Sequence, residues 1–124
     1  MTSATVTREK KANRAATVWI TQVLTGLLLI AILTLHMISH HFVVEGGLRD
    51  YQQVLDYVQN PLVFVLELVF IIIATAHALL GVRAVILDIG LSEGAKRTLN
   101  WVLAILGAIT LVYGIWLAFA LQQL

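Results

Sequence analysis

Residues 15–44, AATVWITQVLTGLLLIAILTLHMISHHFVV, contain no Asp, Glu, Lys or Arg. A bilayer core is crossed by about 20 apolar helical residues, so this stretch is long enough to span one. Two further apolar runs follow, residues 61–89 and 98–121. The second carries Glu67, His77, Arg83 and Asp88, and the third has no formally charged residue beyond its basic threshold. In lipid only helices and closed barrels satisfy the backbone, and these runs are too long and unbroken for barrel strands. The sequence therefore predicts an all-α transmembrane protein. Its three spans form one domain over residues 15–121, preceded by a short N-terminal segment, residues 1–14.

Composition agrees. Of 124 residues, 60% are hydrophobic and 12% are charged, where a soluble domain carries about a quarter charged. Lipid, not nucleic acid, is the environment this implies. With no cysteine, disulfides, thiolate zinc sites and cysteine-bound iron–sulfur clusters are excluded. The net charge of +1 hides an asymmetry. Arg8, Lys10, Lys11 and Arg14 precede the first span and Lys96 and Arg97 precede the third, while the loop between spans one and two has only Arg49. The positive-inside rule then places the N-terminus in the cytoplasm, with the chain a multi-pass protein of the cell inner (cytoplasmic) membrane. The first run is too long for a signal peptide, and no small-residue cleavage site ends it.

Between spans one and two, DYQQVLDYVQ (residues 50–59) sets Tyr51, Val54, Leu55 and Val58 on one face of a helix. This predicts a short interfacial helix on the outer side. Gly46 and Gly47 separate it from span one, and Asn60-Pro61 supplies a cap and first residue for span two. Gly90 and Gly94 are expected to bracket the turn into span three.

An ionisable group at membrane depth costs a few kcal/mol and asks for a reason. His77 lies roughly 3 Å from the middle of its span, with Ala74, Ala76, Ala78 and Gly81 around it. Such a setting suits a flat, bulky group against the helix, and imidazole is an axial ligand for heme iron. It equally suits a histidine hydrogen-bonded across helices. His36 and His40 share one face of span one, and His41 points about 100° away. His36 sits roughly 13 Å and His40 about 20 Å from the level of His77. Two ligands of one iron need one height, so the second ligand must come from a partner chain or a second copy. Two heights also allow two stacked hemes, with His36 or His40 serving the outer one. Arg83 and Asp88 near the inner end have a functional reading, on a propionate, a quinone oxygen or a proton path. They have a plain one too, as a snorkelling arginine and a helix-ending carboxylate. Gly107 and Gly114 in span three permit close helix contact. Trp101 reads as an interfacial anchor.

The run from His77 through Gly81 and Arg83 to Asp88, HALLGVRAVILD, resembles the H-x3-G-x-(R)-x4-D signature in the second span of membrane anchor subunits of succinate dehydrogenases and fumarate reductases. The length and the three-span plan of a membrane anchor fit as well. The resemblance implies that His77 is an axial ligand of heme b and that the inner end of span two borders a quinone pocket. It implies a second membrane anchor subunit sharing one or two hemes, an iron–sulfur subunit, and a flavoprotein subunit that oxidises succinate. LHMISHH (residues 35–41) resembles the two-heme branch, in which first-span histidines hold the outer heme. Two departures stand out. Ile89 occupies the place where single-heme anchors often carry a tyrosine, and the S-x-x-x-R pattern of the cytochrome b subunit is missing from span one. Thr17, Thr21, Gln22 and Thr25 are weak polar substitutes there, and Trp19 is a candidate for the inner mouth. The D-type anchor is thus the closer resemblance and the C-type the alternative. Competing readings are a small multi-span transporter, which would make Glu67 its essential carboxylate, and a non-redox membrane assembly subunit.

Overall fold

The computed structural model describes residues 3–44 and 46–124, and the side chains of all of these except Ser3, Ala4 and His40. Among them the chain forms four helices and no strand: α1 (Ser3–His41), α2 (Tyr51–Val58), α3 (Pro61–Leu87) and α4 (Glu93–Leu121). Helices α1, α3 and α4 are long and apolar enough to cross a membrane, and α2 is the short helix expected between the first two. The predicted all-α, three-span architecture is the one observed.

Local chemistry fixes the helix ends. The Asp50 carboxylate accepts the Gln53 N–H at 2.8 Å, while the Gln53 side chain accepts the Asp50 N–H at 3.0 Å. This reciprocal capping box starts α2. Asn60 Oδ1 accepts the Leu62 N–H at 2.9 Å, and Pro61 takes the first helical position, where a missing N–H costs nothing. Asn60→Ala is expected to lower stability by about 1 kcal/mol, read as a lower Tm of the protein in detergent; an unchanged midpoint would remove the cap from this account.

Gly46 (φ 91) and Gly47 (φ 78) turn the chain out of α1 through the left-handed region, which L side chains avoid. Around that turn His41 Nδ1 lies 3.2 Å from the Gly47 carbonyl. Arg49 Nη2 donates to the Ser39 carbonyl at 3.1 Å, and its guanidinium lies 4.1 Å from the centre of the Tyr57 ring. Arg49 thereby closes the C-terminal end of α1 and pins α2 beside it.

Two boundaries differ from expectation. Helix α4 begins at Glu93, not residue 98, because Ser92 Oγ accepts the Ala95 N–H at 3.3 Å and starts the helix early. Gly94 therefore lies in the first turn of α4, and the turn itself is made at Gly90 (φ 81). Helix α1 runs back to Ser3 because residues 3–14 contain neither glycine nor proline.

The three long helices form an open row with α3 in the middle, packed on α1 along one side and on α4 along the other. Only Ile32, Leu55, Leu103 and Ala118 make up the buried apolar core among the described residues. Contact is close where α4 offers glycine. A Cβ at Gly107 would lie 2.5 Å from Leu79 Cδ1, and one at Gly114 would lie 3.1 Å from Ile71 Cγ2. Small residues of this kind let helix backbones approach in lipid. Near α2, Phe64 and Phe119 pack edge to face at 5.1 Å, and Gln122 Nε2 donates to the Val58 carbonyl at 2.6 Å. The hydroxyls of Thr17, Thr21, Thr25, Thr34 and Ser39 each donate to the carbonyl four residues back at 2.7–2.9 Å. Polar side chains in an apolar helix are satisfied in this way without water.

Candidate functional site at the α1–α3 seam

His77 faces α1, where its neighbours are Thr25 and Gly26. Its Nδ1 lies 3.0 Å from Thr25 Oγ1. A Cβ at Gly26 would come within 3.1 Å of His77 Cε1, so glycine at this position makes space for the ring. The direction of the Thr25 contact follows from the rest of the hydroxyl's bonding. Its one proton has two carbonyl acceptors on its own helix within reach, Thr21 at 2.7 Å and Gln22 at 3.1 Å. With the proton on the nearer of these, the hydroxyl offers a lone pair toward the imidazole and His77 Nδ1–H is the donor. In the neutral ring that leaves Nε2 as the nitrogen with an available lone pair.

One turn further toward the basic end of the row, Gln22 Nε2 donates to the His77 carbonyl at 3.2 Å. Gly81 permits this, because a Cβ there would lie 3.1 Å from that nitrogen. Gly81 is therefore not an open slot beside His77, as its size suggested; the Gln22 amide fills it. Gln22 Oε1 is buried and has no partner. The pairs Gly26–His77 and Gln22–Gly81 keep one antiparallel register, four residues back on α1 for four residues on along α3.

The same register brings His36 to Glu67 near the α2 end. His36 Nδ1 lies 3.2 Å from Glu67 Oε1, and its ring stacks on Phe70 at 5.8 Å with planes 16° apart. Residues 67 and 77 differ by about 15 Å along α3, so His36 and His77 stand at two levels. His40, the alternative outer ligand, lies outside the described side chains. His41 is engaged with the loop.

The remaining expected site residues do not join His77. Arg83 turns to the opposite seam, where its Nε donates to Asn100 Oδ1 of α4 at 2.8 Å. Asp88 is the exposed C-cap of α3. Trp19 is 68% exposed. Gln22 alone of the suggested inner-mouth residues sits with His77. Thr25 as partner of His77, Glu67 as partner of His36 and Asn100 as partner of Arg83 were not legible from helix periodicity. A signal for the first two exists in the lengths of α1 and α3, which set how an antiparallel pair aligns. No three His, Asp or Glu side chains converge among the described residues; an axial position on a porphyrin asks for a single imidazole.

Three long apolar helices, with Gln22, Thr25, His36, Glu67 and His77 meeting along one seam, define a multi-pass membrane protein. The chain belongs to the succinate dehydrogenase/fumarate reductase transmembrane subunit family, whose model matches residues 5–120. It is similar to the succinate dehydrogenase hydrophobic membrane anchor subunit of Thermoplasma acidophilum, 29% identical over 103 residues covering 83% of this chain and 84% of that one. The protein of the same description from Archaeoglobus fulgidus is 28% identical over 103 residues, 83% and 87% of the two chains. The chain is thus a membrane anchor subunit of a succinate dehydrogenase/fumarate reductase, which implies further subunits. Family membership takes the place of the small-transporter reading.

Proposed function

We propose that this anchor subunit holds heme b through His77 Nε2, together with a ligand from a second membrane anchor subunit, and borders a quinone site at its basic end. The observation that supports the reading is the 3.0 Å contact between the Thr25 hydroxyl oxygen and His77 Nδ1, which, with the hydroxyl proton on the Thr21 carbonyl, would take the Nδ1–H and leave Nε2 for a metal. Ligand histidines are held in this way by a hydrogen bond from their other nitrogen. The group supplies one-electron exchange at iron when bound. What the chain contributes is orientation and exclusion of water. Thr25 fixes the ring, Gly26 makes room for it, and Gln22 ties down the backbone that carries it while presenting a buried acceptor oxygen. Such an unpartnered acceptor suits a hydroxyl donor, as on a reduced quinone. Arg83, braced by Asn100, and the exposed Asp88 and Trp19 occupy the same end.

The basic residues at that end favour an N-terminus in the cytoplasm and a place in the cytoplasmic membrane. An iron–sulfur subunit would then meet the basic end and pass on electrons taken from succinate by a flavoprotein subunit. A second heme near the α2 end is a further part of the reading. Glu67 on His36 Nδ1 favours it, since a carboxylate behind an imidazole is a common support for a ligand.

The test is a reduced-minus-oxidised spectrum of the purified complex, with heme counted per chain. A b-type α band that loses the share of one heme in His77→Ala, while the subunits remain assembled, is the expected result. An unchanged band in that variant rejects His77 as the ligand.

A further inference from the structure

We propose that Thr25 is a positioning residue that holds His77 in its Nδ1–H tautomer and so lowers the midpoint potential of the iron that His77 ligates. This rests on His77 being an axial ligand. Four threonines of α1 (Thr17, Thr21, Thr25 and Thr34) back-bond to the carbonyl four residues before them. Among these, Thr25 is the one whose oxygen also meets an imidazole, at 3.0 Å.

Thr25 Oγ1 lies between His77 Nδ1 at 3.0 Å and the Thr21 carbonyl at 2.7 Å, and with the hydroxyl proton on that carbonyl the chain runs from His77 Nδ1–H through Thr25 Oγ1 to Thr21. The second bond polarises the first, because a hydroxyl that donates becomes a better acceptor. Pulling on Nδ1–H raises the basicity of Nε2, and a more basic axial nitrogen favours the oxidised iron. Two further contacts keep the geometry in place. Gln22 holds the His77 carbonyl at 3.2 Å, and the ring lies against Gly26.

Valine matches threonine in shape but offers no acceptor, whereas serine keeps the hydroxyl. The experiment is a redox titration of the α band in the assembled complex, with electron paramagnetic resonance of the ferric state, for Thr25→Val, Thr25→Ser and His77→Ala. Thr25→Val is expected to keep its heme, titrate at a more positive potential and show a shifted ferric signal. Thr25→Ser should return both toward the native values, which mere packing would not explain. If Thr25→Val titrates as the native complex while His77→Ala loses one heme's share of the band, the ligand reading stands and the role of Thr25 falls. A band of native amplitude, with the native heme count, in His77→Ala overturns the ligand reading, and this inference with it. Should Thr25→Val come out without heme, Thr25→Ser decides: heme at the native potential supports the proposal, and loss of heme there as well overturns it.

Discussion

Gly26→Leu is expected to strip the complex of the heme assigned to His77 as completely as removal of the imidazole, although His77 itself is untouched. Glycine at position 26 leaves the ring the space it occupies. The first added carbon would lie 3.1 Å from Cε1 and 3.7 Å from Nδ1. For Gly26→Ala the ring need yield only a few tenths of an ångström, so heme should remain with an altered spectrum. A leucine adds three more carbons in the same seam. Either α1 and α3 part, at about 1–3 kcal/mol for overpacking, or the ring swings away from Thr25; both outcomes misplace Nε2. Heme per chain in purified complex measures the effect, with circular dichroism and subunit content as controls for folding and assembly. Full occupancy in Gly26→Leu would mean that α1 does not hold the ring.

The second large effect is expected at Gly107, on the other seam. A methyl there would sit 2.5 Å from Leu79 Cδ1, closer than carbon atoms pack, so the leucine must change rotamer or α4 must withdraw. Gly107→Ala should cost about 1–2 kcal/mol and Gly107→Leu about 3 kcal/mol, the upper part of the overpacking range. In lipid, close van der Waals contact is a principal source of helix association, because no hydrophobic drive operates between spans. A double-mutant cycle isolates the cause. In a Leu79→Ala background the space is already vacant, and Gly107→Ala should then cost almost nothing. Equal destabilisation in both backgrounds, measured by thermal unfolding in detergent, would show that the clash is not with Leu79.

Much of this molecule is readable from residue types alone, for a physical reason. Residues 15–44 can be recognised as a span because lipid penalises every exposed charge, and that penalty is local. The caps at Asn60 and Asp50 act over a few residues and are equally local. His77 stands out by the same logic, as a polar side chain at membrane depth. What periodicity could not supply is which residue of one helix meets which residue of the next. Thr25 and Gln22 looked like weak polar substitutes, yet they are the groups that hold His77 and its backbone. Glu67 has a role in the sequence reading only as a transporter's carboxylate, whereas the antiparallel register sets it against His36. Arg83 shared neither the face nor the seam of His77, and its partner Asn100 gave no sign in its own helix. The early start of α4 was missed because an apolar criterion waits for the first greasy residue, whereas Ser92 nucleates the helix before it.

A row of three rods has two broad sides and almost nothing within. Only Ile32, Leu55, Leu103 and Ala118 are buried by this polypeptide itself among the apolar side chains described. Its finished shape is therefore completed from outside, by acyl chains or by neighbouring subunits.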